Sequence, residues 1–120
     1  MSVYRVHAAR VQHVIERRYA EPLLTVSVVA RIVGISSQHV CRVLRRERGL
    51  TFADLLRDVR LREARRLLRE SSCSMKEIAF RVGFRHPSQF TRAFIDDRGL
   101  PPSQYRTQQI AGDVHHEQAM

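Results

Sequence analysis

The stretch TVSVVARIVGISSQHVCRVLRRERGL, from Thr25 to Leu50, decides the fold, because the chain carries it twice. The second copy is SMKEIAFRVGFRHPSQFTRAFIDDRGL, from Ser74 to Leu100. Ala30, Val33 and Gly34 fall on Ala79, Val82 and Gly83 at an offset of 49. After one inserted residue in the turn, Val40, Arg42, Leu44, Gly49 and Leu50 fall on Phe90, Arg92, Phe94, Gly99 and Leu100 at an offset of 50. Self-similarity of this kind marks a duplicated supersecondary unit.

Each copy reads as a short apolar helix, a turn with glycine, and a second helix whose outer face is polar and rich in donors, the helix-turn-helix layout. In the first copy Thr25 is an N-cap before Val26, Val28, Val29, Ala30, Ile32 and Val33, a helix expected to be largely buried and to stop at Gly34. Ser36 or Ser37 caps the next helix, with Val40, Val43 and Leu44 as its inner stripe and Gly49 at its end. In the second copy Ser74 and Glu77 form an S-x-x-E capping box, and Pro87 suits the first position of the helix carrying Phe90, Ala93 and Phe94.

Working outward, Val11, Val14, Ile15 and Tyr19 recur at helical spacing over about His7 to Tyr19, ahead of Pro22. Between the copies, Thr51 and Asp54 open a long helix to about Arg69 that buries Leu55, Leu56, Val59, Ala64, Leu67 and Leu68. About nineteen residues at about 1.5 Å each make a rod of roughly 28 Å. Successive major-groove windows on one face of B-DNA lie about 34 Å apart, so one copy of such a chain could place two reading heads along one duplex. A last short helix is expected around Ser103 to Gln108. No segment alternates with period two, which predicts an all-α chain. The expected organisation is an N-terminal extension over 1–6, a two-headed domain over 7–109 and a flexible polar tail over 110–120. Within the domain the first helix-turn-helix occupies about 25–48, the linker helix about 51–69 and the second helix-turn-helix about 74–98.

Composition narrows the function classes. The 120 residues are 43% hydrophobic and 28% charged, as in folded soluble proteins. The formal net charge of +9 favours a phosphate-bearing partner. Lys76 is the only lysine, so the cations are planar arginine donors suited to phosphate and guanine, although genomic base composition could produce the same bias. No apolar run approaches a membrane span and the N-terminus lacks the long apolar stretch of a signal peptide, so a cytoplasmic chain is expected. Cys41 and Cys73 lack paired spacing, and the six histidines show no ligand spacing within a helix, so neither disulfide, metal nor cofactor is expected. The carboxylates fall in caps or on outer faces without a constellation of acid, base and nucleophile, which argues against an enzyme.

The run Ile78-Ala79-Phe80-Arg81-Val82-Gly83-Phe84, followed by Ser88, Phe90, Arg92, Phe94, Gly99, Pro102, Tyr105 and Arg106, resembles the AraC/XylS transcription regulators in their DNA-binding domain. The likeness spans about Val11 to Arg106. It implies seven helices, with two helix-turn-helix subdomains joined by a long helix and a recognition helix from each in adjacent major grooves of double-stranded DNA. It further implies that Gln38, Cys41 and Arg42 face bases in the first head, with Ser37, Arg45 and Arg46 near the backbone. In the second head Pro87, Ser88 and Arg92 face bases, with Gln89 and Thr91 nearby. RNA polymerase as a second partner is likewise implied by the resemblance. Many relatives carry a ligand-sensing domain, so the chain is either a stand-alone regulator, toward which Met1 leans, or part of a longer one.

Chemistry supports these roles unevenly. Arg42 and Arg92 could each grip a guanine edge and Gln38 an adenine, or the arginines could meet phosphate or a carboxylate inside the domain. Where relatives commonly place basic residues, this chain has Ile95, Asp96 and Asp97, which add negative charge beside a polyanion. The expectation is that the first head supplies most sequence discrimination and the second mainly shape and phosphate anchoring. The competing reading is a helix-turn-helix turned protein-docking module, which the acidic pair favours.

Overall fold

Side-chain caps and left-handed glycines set many of the helix limits. The computed structural model describes residues 2–119, with side chains over residues 2–112. Among these the elements are α1 (Val3–Arg18), α2 (Val26–Val33), α3 (Ser37–Arg48), α4 (Phe52–Glu70), α5 (Met75–Arg81), α6 (Pro87–Arg98) and α7 (Pro102–Ala119), with no strand. No described helix is long and apolar enough to cross a membrane.

Thr25 Oγ1 accepts from the Val28 amide at 3.3 Å and Ser36 Oγ from the His39 amide at 3.0 Å, so both helices of the first copy start where their caps place them. Thr51 Oγ1 does the same for Asp54 at 3.1 Å. The Ser74 and Glu77 box closes in both directions, at 3.1 and 3.3 Å. Gly34, Gly49 and Gly99 end α2, α3 and α6 at φ of 84°, 67° and 78°, a region that an L side chain enters only with strain.

The chain divides into two compact units, Met1–Arg60 and Leu61–Met120, with the division inside α4. In the first, Val11 and Ile15 of α1, Val29, Ala30 and Val33 of α2, Val40 and Leu44 of α3, and Leu55, Leu56 and Val59 of α4 form one aliphatic core. The second replaces the Val40 and Leu44 pair by aromatic rings. Phe84, Phe90, Phe94 and Tyr105 follow one another with centroids 5.6, 5.9 and 5.3 Å apart. Larger residues at the same helical positions thus fill the second copy.

One device recurs in both units. Arg60 donates to the carbonyls of Tyr19 and Glu21 at 2.8 and 2.9 Å, just past the end of α1. Arg106 donates to those of Leu68 and Ser71 at 3.0 and 3.2 Å, around the end of α4. Each guanidinium binds carbonyls at or just beyond a helix end, where the helix ladder has run out, and the Glu21 carbonyl also accepts the Leu24 amide at 3.2 Å. The duplication therefore extends beyond the two helices of each head: α4 closes the first unit as α7 closes the second.

Four expectations need correction. Residues 3–6, assigned to an extension, form the first turn of α1, and Met1 lies outside the described residues. Ile32 is 45% exposed rather than buried, since it stands on a different face of α2 from the buried Val29, Ala30 and Val33. Leu61, left out of the buried side expected of α4, is buried to 1%, since it stands at i, i+3 and i+7 with the buried Ala64 and Leu68 and shares their face. The last helix does not stop near Gln108 but continues as α7 to Ala119, through the segment expected as a tail. Ile110 is 56% exposed, so helix continuation there is not driven by its burial. Met120 lies outside the described residues.

Candidate nucleic-acid interface

In the first unit, capping by Ser36 and the inward stripe of Val40, Val43 and Leu44, each fully buried, fix the rotation of α3 about its axis. Gln38, Cys41, Arg42, Arg45 and Arg46 are then exposed on the other side, with Ser37 half-buried in the first turn. The residue spacing is that of one helical face. Cys41 is a free thiol on it.

The arginines separate into two groups. Arg48 donates to Gln12 Oε1 at 2.8 Å and is tied to α1. Arg46 has its guanidinium carbon 4.6 Å from the centroid of the Tyr4 ring. Arg42 and Arg45 form no ion pair among the described residues, which leaves planar donors on the outer face without a carboxylate to hold them.

In the second unit the buried rings of Phe90 and Phe94 orient α6 in the same manner. Ser88, Gln89 and Arg92 are exposed and Pro87 is half-buried. Arg92, like Arg42, forms no ion pair among the described residues. Thr91 is half-buried and its hydroxyl donates to the Pro87 carbonyl at 3.1 Å, so it offers a ligand an oxygen lone pair and a methyl rather than a donor. Ser88, Thr91, Arg92, Ile95 and Asp96 line one shallow depression along this face.

The acidic stretch is less negative than its sequence suggests. Asp97 pairs with Arg65 of α4 at 3.2 Å and with Arg98 at 3.4 Å. Burial and the neighbouring Arg98 lower the Arg65 pKa, while Asp97 opposes that fall. Asp96 and Ile95 are what α6 presents beside Arg92.

Other arginines serve structure. Arg18 and Glu21 hold each other by a hydrogen bond that raises the first pKa and lowers the second. Arg66 bonds Glu63 and Glu70 on the surface of α4, and the two carboxylates raise its pKa. Exposed pairs of this kind add little stability but remove arginines from the pool free to meet phosphate.

One cluster beside α3 escaped the sequence reading. His7 Nδ1 lies 2.9 Å from His39 Nε2, with the rings edge to face at 5.0 Å, and the Tyr4 ring is 5.5 Å from His39. The partners are 32 or more residues apart in the chain, a separation at which no helical period operates. Among the described residues no group of three or more His, Cys, Asp or Glu side chains could hold a metal ion.

The family model described as a helix-turn-helix domain matches residues 29–108. The HTH-type transcriptional regulator GlxA of Rhizobium meliloti is 46% identical over 68 residues, 57% of this chain, and the chain spans 21% of that protein's length. The C-terminal domain of AraT, a response regulator from Geobacillus stearothermophilus, superposes with a TM-score of 0.84 at 30% identity, covering 89% of this chain and 88% of that one. The DNA-binding domain of AdpA, described as a global transcriptional factor and solved with a target DNA, gives 0.81 at 29% identity and covers 87% and 93%. With the duplicated helix pairs and these matches together, the chain belongs to the AraC-type helix-turn-helix family and is a DNA-binding domain of transcription regulators, not an enzyme.

Proposed function

We propose that this chain regulates transcription by binding a bipartite duplex site, with α3 and α6 each reading one of two adjacent major-groove segments. The observation that carries this reading is the pair Arg42 and Arg92. They occupy equivalent positions in the two copies, and both are exposed without an ion pair among the described residues. In α3, Gln38, Cys41 and Arg42 face bases while Ser37, Arg45 and Arg46 meet the backbone. In α6, Pro87, Ser88 and Arg92 face bases, with Gln89 and Thr91 beside them. The first head supplies most of the sequence discrimination, because α3 offers unpaired arginines whereas α6 sets Ile95 and Asp96 next to its one reading arginine. The chain acts in the cytoplasm as a single copy on its site, with RNA polymerase as a second partner.

The test is selection from a randomised duplex pool at two salt concentrations. Enrichment of two half-sites about one helical turn apart, with affinity falling steeply as salt rises, is the expected result. Little binding at low salt and no enrichment would overturn the reading and leave a protein-docking module in its place.

A further inference from the structure

The first turn of α1 lies outside the residues that the family model matches, and its two valines do not hold it in place: Val3 is 62% and Val6 40% exposed. Ring and hydrogen-bond contacts of Tyr4 in this turn and of His7 just after it run to α3. Tyr4 lies against His39 and beneath Arg46, and His7 shares a hydrogen bond with His39. His39, Arg42 and Arg46 stand at i, i+3 and i+7 and form one stripe along the helix. Tyr4 thus touches both ends of the stripe that carries Arg42.

We propose that Tyr4 is a positioning residue for DNA binding, its ring holding the Arg46 guanidinium in the orientation from which it contacts the duplex backbone. Arg46 is exposed, and a free arginine side chain loses considerable rotamer freedom when it is fixed against a phosphate. A ring beneath the cation removes part of that freedom before DNA arrives. The contact uses the cation's charge against the π-face and leaves its N–H donors available to phosphate oxygens. His39 is held between His7 and Tyr4, and its amide is bonded to the Ser36 cap, so the platform is anchored at the start of α3. The assignment rests on the reading of Arg46 as a backbone contact.

The experiment is a fluorescence-anisotropy titration of the full chain with a mixed-sequence duplex across a salt series, with melting curves for every variant. The variants are Tyr4→Leu, which keeps apolar bulk without a π-face, Tyr4→Phe, which keeps the ring, Arg46→Ala, and the pair Tyr4→Leu with Arg46→Ala. Tyr4→Leu is expected to weaken binding about two- to fivefold, the range a surface cation–π contact supplies. Tyr4→Phe should bind as the parent does. Arg46→Ala should reduce the salt slope by about one, and the double variant should be no weaker than Arg46→Ala alone. Binding by Tyr4→Leu equal to the parent, a loss in Tyr4→Phe as large as in Tyr4→Leu, or a double variant as weak as the product of its singles overturns the role of Tyr4. Unchanged affinity and slope in Arg46→Ala instead removes the backbone contact itself, and with it the basis of the proposal.

Discussion

Replacing Arg42 by alanine and Arg92 by alanine separates a head that reads sequence from one that anchors. Neither side chain is paired with a carboxylate among the described residues and both are exposed, so each variant should keep its stability within about 0.5 kcal/mol. Any large change then belongs to binding. A bidentate arginine to guanine contact discriminates by about 1 to 3 kcal/mol, or roughly 5- to 150-fold between the right base and a wrong one. Arg42→Ala should lose a factor of that size at one position of the selected site and bind the substituted sequences as the parent does. Arg92 shares its depression with Asp96, whose carboxylate repels phosphate and competes for the guanidinium. Arg92→Ala should therefore lose less discrimination at its own position than Arg42→Ala does, with most of its loss falling on all sequences alike. Competition binding against single-base variants of the selected duplex, at two salt concentrations, distinguishes the outcomes. Asp96→Asn supplies the converse, with tighter binding and stronger discrimination under the second head. Equal losses of discrimination in the two alanine variants would refute the division of labour.

Three further changes probe the scaffold under these helices. Arg106→Ala removes two charge-assisted bonds to the end of α4 and should cost about 2 kcal/mol in urea titration, with Arg106→Lys recovering less than half because an ammonium cannot span both carbonyls as the guanidinium fork does. Gly34→Ala should destabilise by about 1 to 2 kcal/mol even though nothing lies within 4 Å of the added carbon, since the penalty comes from the left-handed backbone alone. Gly112→Ala, inside α7 and also in open space, should raise the melting temperature by the equivalent of about 0.5 to 1 kcal/mol.

Arg60 and Arg106 show why part of the architecture was hidden. The repeat of Ala30 with Ala79 and of Leu44 with Phe94 is legible because local periodicity and glycine punctuation act over a few residues. That a guanidinium from a later helix closes the end of an earlier one is a contact across 35 to 41 residues, and no local rule announces it. The extent of α7 is hidden for a different reason, since a polar segment without an apolar face carries little periodic signal for helix.

The sequence by itself determined the all-helical class, the two copies, the start of each capped helix and the residues on the outer faces of α3 and α6. These follow from caps, glycines and the 3.6-residue period, which are properties of neighbours along the chain. Only the tertiary structure decided which arginines are spent and which are free. Arg48 goes to Gln12, Arg65 and Arg98 to Asp97, and Arg46 to Tyr4, whereas Arg42, Arg45 and Arg92 keep their charge unpaired among the described residues. An arginine has the same charge and donors wherever it stands, so its task is set by what folding brings within a few ångströms of it.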